Sequence, residues 1–220
     1  VLAWPSATHL REVALPYAQQ HLDAWDDADR SAPASWRLLL REGQLPEPLM
    51  SLVRRLKLGK LREEQFDALL ERGDLSDILT LQARGWGHDE EPLERFLASD
   101  AFEELEELTY ARDKTRTSTE DARRVARTFG ASTSFPNLHR LTLHGWKMMT
   151  SGARLLRVGG SLSRLGALGL IDADLSAQGI AELLEPGSWP SLTHLELRGN
   201  AVGNEGLAHI ARWGGDGRLS

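Results

Sequence analysis

Four leucines set 27 residues apart, Leu138, Leu165, Leu192 and Leu219, constrain this chain more than any other feature of it. The first three each open an LxxLxL run: LHRLTL (138–143), LGALGL (165–170) and LTHLEL (192–197). The register extends past the leucines to Gly152, Gly179 and Gly206, to Met148, Leu175 and Val202, and to Leu156, Leu183 and Ile210. Repetition at this period implies a supersecondary unit that cannot bury its apolar face alone, so that successive copies must stack.

The content of one unit follows from its spacing. In LTHLEL, Leu195 and Leu197 alternate with the period of two expected of a short half-buried strand. In NEGLAHIARW, residues Leu207, Ile210 and Ala211 fall at helical spacing and are expected to form the buried stripe. Each unit therefore predicts strand, turn and helix. Stacked, the strands form a parallel ladder about 4.8 Å apart, with the helices covering one side.

These residues resemble the leucine-rich repeat superfamily, and the 27-residue unit with its GNEGLAHIA-type helix is similar to the ribonuclease-inhibitor-like class. The resemblance implies an α/β solenoid, a horseshoe with a parallel sheet on its concave face and helices on its convex face. One departure stands out. The family usually places a buried asparagine three residues after the last leucine of LxxLxL, and only Asn200 matches; Ala173, Trp146, Asp113, Arg84 and Leu61 occupy the equivalent places. The turns, especially in the N-terminal half, are accordingly expected to be irregular.

Looser units precede the regular ones, with starts at 53 (VRRLKL), 76 (SDILTL) and 105 (LEELTY), before those at 138, 165 and 192. Their helices are read from Phe66, Leu69 and Leu70, from Leu93, Phe96 and Leu97 after an Asp89 N-cap, and from Ala122, Val125, Ala126 and Phe129. Ser118 followed by Asp121 predicts a capping box for the last of these. The long unit from 105 suggests a protruding loop near Arg112 to Ser118. Residues 1–52 read as a helical lead-in or an irregular N-terminal cap. Within them LREVAL (10–15) is either a first strand or a lookalike. Leu219 opens another unit, so the solenoid of 53–220 is expected to be truncated at its C-terminus.

Composition narrows the function classes. A formal net charge of −6 argues against nucleic acid, whose phosphates need clustered Lys and Arg. The apolar runs fall far short of the ~20 residues that span a bilayer, and no signal-peptide pattern opens the chain. Without cysteine there is no disulfide, thiolate zinc site or cysteine nucleophile. Extracellular leucine-rich repeat proteins commonly carry disulfide-bonded caps, so the resemblance points to a cytoplasmic protein. His139, His144 and His194 are expected too far apart to share a metal ion. No GxSxG, HExxH or GxxxxGK[ST] motif occurs. The expectation is a protein without catalysis, cofactor or metal. Glu106 and Glu107 are read as solvated, and Trp189, placed like Phe135 one residue before a proline, as core under a loop. Trp86, Trp146 and Trp213 are assigned to core or loop packing, with an interface anchor as the alternative.

What remains is a surface. The outward residues of successive strands line the face where repeat arrays usually bind: Arg55 and Lys57; Ile78, Thr80 and Gln82; Glu107 and Thr109; then Arg140, Thr142 and His144; Ala167, Gly169 and Ile171; His194, Glu196 and Arg198. The last nine make an apolar centre inside a polar rim, the layout of a protein-binding patch. Replacing Ile171 and Arg198 is expected to weaken partner binding without unfolding the chain. The first expectation is thus a module that binds a protein partner on its concave face. The resemblance also implies a GTPase-activating alternative in which Arg84, Arg112 or Arg116 reaches a partner's nucleotide site. A third reading is the sensor arm of a larger multidomain protein.

Overall fold

The computed structural model describes residues 12–15, 54–58, 70, 75–84, 91–112 and 118–215. Several expectations lie outside them: the helical lead-in, the helix residues Phe66 and Leu69, the Asp89 cap, Trp86, the loop residues 113–117 with Arg116, and Leu219. Seven strands run β1 (Glu12–Leu15), β2 (Arg55–Leu58), β3 (Thr80–Arg84), β4 (Glu107–Ala111), β5 (Arg140–His144), β6 (Ala167–Ile171) and β7 (His194–Glu196). They form one sheet in sequence order, every neighbouring pair parallel. LREVAL thus contributes a strand to the same sheet, with Val13 opposite Leu56. Parallel neighbours require a crossover, and α1 (Glu91–Ala98), α2 (Thr119–Ala131), α3 (Met149–Val158), α4 (Ala177–Leu183) and α5 (Gly203–Gly214) lie one after each of β3 to β7. Each of these helices packs on the next.

The period of two decides which side chains are buried between sheet and helices. Leu81, Leu108, Leu141 and Leu168 stand opposite one another in register and are essentially inaccessible, as are Leu143 and Leu170. From the helices come Phe96, Ala122, Ala126, Phe129, Leu156, Ile180 and Leu183. The capping box of α2 forms as expected: Asp121 N–H donates to Ser118 Oγ at 3.1 Å, and Ser118 N–H to Asp121 Oδ2 at 2.8 Å.

The register corrects the unit read from SDILTL. Leu56 pairs with Leu81, so the unit opens at Ile78 rather than at residue 76. Ile78 is therefore an inward residue, fully buried, and not part of the outer row. A repeated backbone feature marks the same boundary. The carbonyls of Arg54, Leu79, Glu106, His139 and Gly166 each accept two N–H groups from the following unit. Ahead of each unit's first apolar residue stands another, three positions earlier: Leu75, Phe102, Phe135, Leu162 and Trp189. Each accepts a turn hydrogen bond from its partner, Ile78, Leu105, Leu138, Leu165 or Leu192. Trp189 is buried as expected and donates its indole N–H to the Leu183 carbonyl at 2.7 Å.

The turns at Trp146 and Asn200 resemble each other although only one carries the asparagine. Asn200 Nδ2 donates to the carbonyls of Leu170 (2.6 Å) and Leu197 (2.8 Å), and its Oδ1 accepts from the N–H groups of Ala173 (3.1 Å) and Leu175 (3.0 Å). One side chain thereby pins its own turn to the preceding one. Trp146 holds the equivalent position, and its indole Nε1–H donates to the Tyr110 carbonyl at 3.3 Å. Tyr110 pairs with Leu143 as Leu170 would with Leu197, so indole and amide reach corresponding acceptors. The tryptophan supplies the donor half of the pin and adds a stacked contact on Tyr110, with centroids 5.2 Å apart. It is core, as is Trp213.

Candidate partner-binding face

β5, β6 and β7 bring the outward residues of three units side by side. Arg140, Ala167 and His194 are aligned across the strands, as are Thr142, Gly169 and Glu196. His144 stands beside Ile171, and Arg198 follows β7. All nine residues read from the sequence therefore share one face. Their exposure differs from the expectation. Ala167, Gly169 and Ile171 are buried, Ile171 to 93% given a relative exposure of 7%, whereas Arg140, His194 and Arg198 are exposed.

Strands less than 5 Å apart bring the side chains of neighbouring units within reach of one another. Gly169 shows this most directly: a Cβ there would meet Thr142 Oγ1 at 2.9 Å and its Cγ2 at 3.0 Å, so the threonine already occupies that space. The apolar centre is a covered floor and not an open patch. A charge at Ile171 would be buried, so its replacement by a charged residue is expected to cost stability and not binding alone.

The polar residues are paired along the face. Arg140 Nε lies 3.3 Å from Glu107 Oε1 across β4 and β5, and Arg198 Nη2 lies 3.6 Å from Glu196 Oε1 within one segment. Glu107 is accordingly an ion-pair partner, half exposed. His144 Nε2 lies 2.9 Å from Asp172 Oδ2, in the turn after β6. Sequence reasoning missed Asp172, because it falls one residue beyond the strand pattern that selected the outer row. Exposed pairs of this kind add little stability, about 0–1 kcal/mol each. Their effect is to hold the side chains in place.

The arginines considered for nucleotide work are placed differently. Nε and Nη2 of Arg112 are buried, and its backbone N–H donates to the His144 carbonyl at 2.8 Å, so this side chain does not project from the sheet. Arg84 ends β3. Among the described residues no group of three or more His, Asp or Glu is gathered as metal ligands, and no helix is long and apolar enough to cross a membrane. No protein-family model matches the chain, and no curated protein matches it.

Proposed function

We propose that this chain is a leucine-rich repeat array of the ribonuclease-inhibitor-like kind, and that its outer strand face binds a protein partner. The array reading is supported by the parallel strands in sequence order, the 27-residue register of β5 to β7 and the asparagine-type pin at Asn200. The observation that carries the binding reading is the row Arg140, Thr142, His144, His194, Glu196 and Arg198. These hydrogen-bonding groups stand on a rigid ladder, at spacings set by the backbone and over a packed floor. Such a surface loses little side-chain freedom on binding, which lowers the cost of association. Floor residues Ala167, Gly169 and Ile171 act by keeping the row low and close to the sheet.

The test is capture of protein from the native cell lysate by the chain, beside two variants. Arg140→Glu with Arg198→Glu reverses charge on the outer face, and Arg154→Glu does so on the exposed side of α3. A protein held by the native chain and the α3 variant, and lost by the double variant, is the expected result. Equal retention by all three forms would rule out the outer face as the binding surface.

A further inference from the structure

The turn after each of β5, β6 and β7 opens on a position of positive φ, at the same place in the 27-residue register: Gly145 (φ 77°), Asp172 (φ 49°) and Gly199 (φ 74°); the turn after β6 has a second, Asp174 (φ 56°). Glycine adopts this conformation freely, whereas a residue with a Cβ is strained in it. Asp172 is the one of the three that carries a side chain. Two neighbours accommodate it. A Cβ on Gly199 would lie 1.8 Å from Asp172 Oδ1, so the next turn has room for the carboxylate only because it has glycine there. On the other side, His144 Nε2–H donates to Asp172 Oδ2 at 2.9 Å.

The hydrogen bond fixes the chemistry of the pair. The carboxylate can only accept, so Nε2 of His144 is the donor. Asp172 Oδ1 is left as an acceptor without a hydrogen-bond partner among the described residues. The nearby Arg198 turns to Glu196 and leaves Asp172 alone. Asp172 is more than half exposed and His144 more than a third. The site therefore presents a carboxylate with one oxygen open at the edge of the proposed binding face.

We propose that Asp172, oriented by His144, is a binding residue for a cationic side chain of the partner, a guanidinium or ammonium group that brings only donors. The assignment rests on the outer-face reading and deepens it. Of the three equivalent positions, Gly145, Asp172 and Gly199, the one after β6 keeps a side chain at positive φ, and that side chain is a carboxylate at the rim.

The experiment uses N-acetyl-arginine N-methylamide as probe, titrated into the isotope-labelled chain and followed by NMR at the His144 ring and the Asp172 and Gly199 amides. The corresponding citrulline derivative, neutral and of the same shape, is the control. Saturable shifts with the arginine probe, absent with citrulline and weakened about tenfold or more in Asp172→Asn, are expected, since a charge-assisted hydrogen bond is lost. No saturable shifts, equal response to both probes, or unchanged affinity in Asp172→Asn would overturn the assignment. Asp172→Gly separates function from structure. Its melting temperature is expected to hold or rise while probe binding disappears; a fall of several degrees would make Asp172 a structural residue. Because the probe is a free amino-acid derivative, its failure leaves partner capture by the β5–β7 row untouched. Lost capture with intact probe binding would break only the broader reading.

Discussion

Ile180 in α4 and Leu207 in α5 occupy the same register position, 27 residues apart, yet Ile180 is fully buried and Leu207 is 58% exposed. The contrast repeats through the two units. Leu183 is buried while its counterpart Ile210 is half-buried, and Leu168 and Leu170 are buried while Leu195 and Leu197 are partly accessible. The unit of β6 and α4 has described neighbours on both sides; among the described residues, that of β7 and α5 has them on one. A unit of this kind thus completes the burial of the one before it. In the last one, the inward stripe expected from Leu207, Ile210 and Ala211 shifts to Gly206, Ile210 and Trp213, with Ala211 exposed.

The largest test of this contrast pairs Leu168→Ala with Leu195→Ala. The first empties a fully packed site and should cost about 2–5 kcal/mol. The second should cost about half as much, because part of the leucine is already in water. Equal losses in urea denaturation would show that the two units are equally enclosed. Next comes Asn200→Ala, which leaves the N–H groups of Ala173 and Leu175 and the carbonyls of Leu170 and Leu197 without this partner. A loss of about 2–3 kcal/mol is expected. Its counterpart Trp146→Phe keeps the stacking surface and removes one indole hydrogen bond, and should cost about 1 kcal/mol. A Trp146→Phe loss as large as that of Asn200→Ala would mean that the indole does more than replace one amide donor.

Met149 sharpens the comparison from the opposite direction. It has φ 49° and is substantially exposed, while its register equivalent in the last unit is Gly203, φ 60°. Met149→Gly should therefore raise stability by about 1 kcal/mol in the same denaturation experiment, and a decrease would show that its side chain contributes packing that outweighs the strain. The smallest effect is expected at Leu207→Ala, within about 0.5 kcal/mol, against about 2–5 kcal/mol for Ile180→Ala. Hydrogen exchange offers a check without substitution: amides of α5 should exchange faster than those of α4.

Much of the architecture is legible in the sequence because period is a local property. Leucines alternating in LTLH and LGLI, and Ala122, Val125, Ala126 and Phe129 at helical spacing, state the element and its buried face without reference to the rest of the chain. The shared face of Arg140, Thr142, His144, His194, Glu196 and Arg198 follows from the same alternation. What escaped was either irregular or relational. In SDILTL the strong Leu79 mimics the pattern two residues too early, and only pairing of Leu56 with Leu81 reveals Ile78 as the inward residue. Asp172 belongs to a turn, where no periodicity points to it.

The sequence by itself determined the alternation of strand and helix, the register of the last three units and the side chains that share a face, since each depends on residue spacing along one segment. The tertiary structure decided which of those positions are closed to water. Ala167 and Ile171 stand in the outward register yet are buried, and Leu207 carries an inward pattern yet remains exposed. It also decided that an indole at Trp146 meets the carbonyl corresponding to the one that the Asn200 amide meets two units further on. Burial and hydrogen-bond partners depend on what the neighbouring unit places within a few ångströms, and that is a property of the stack and not of any one segment.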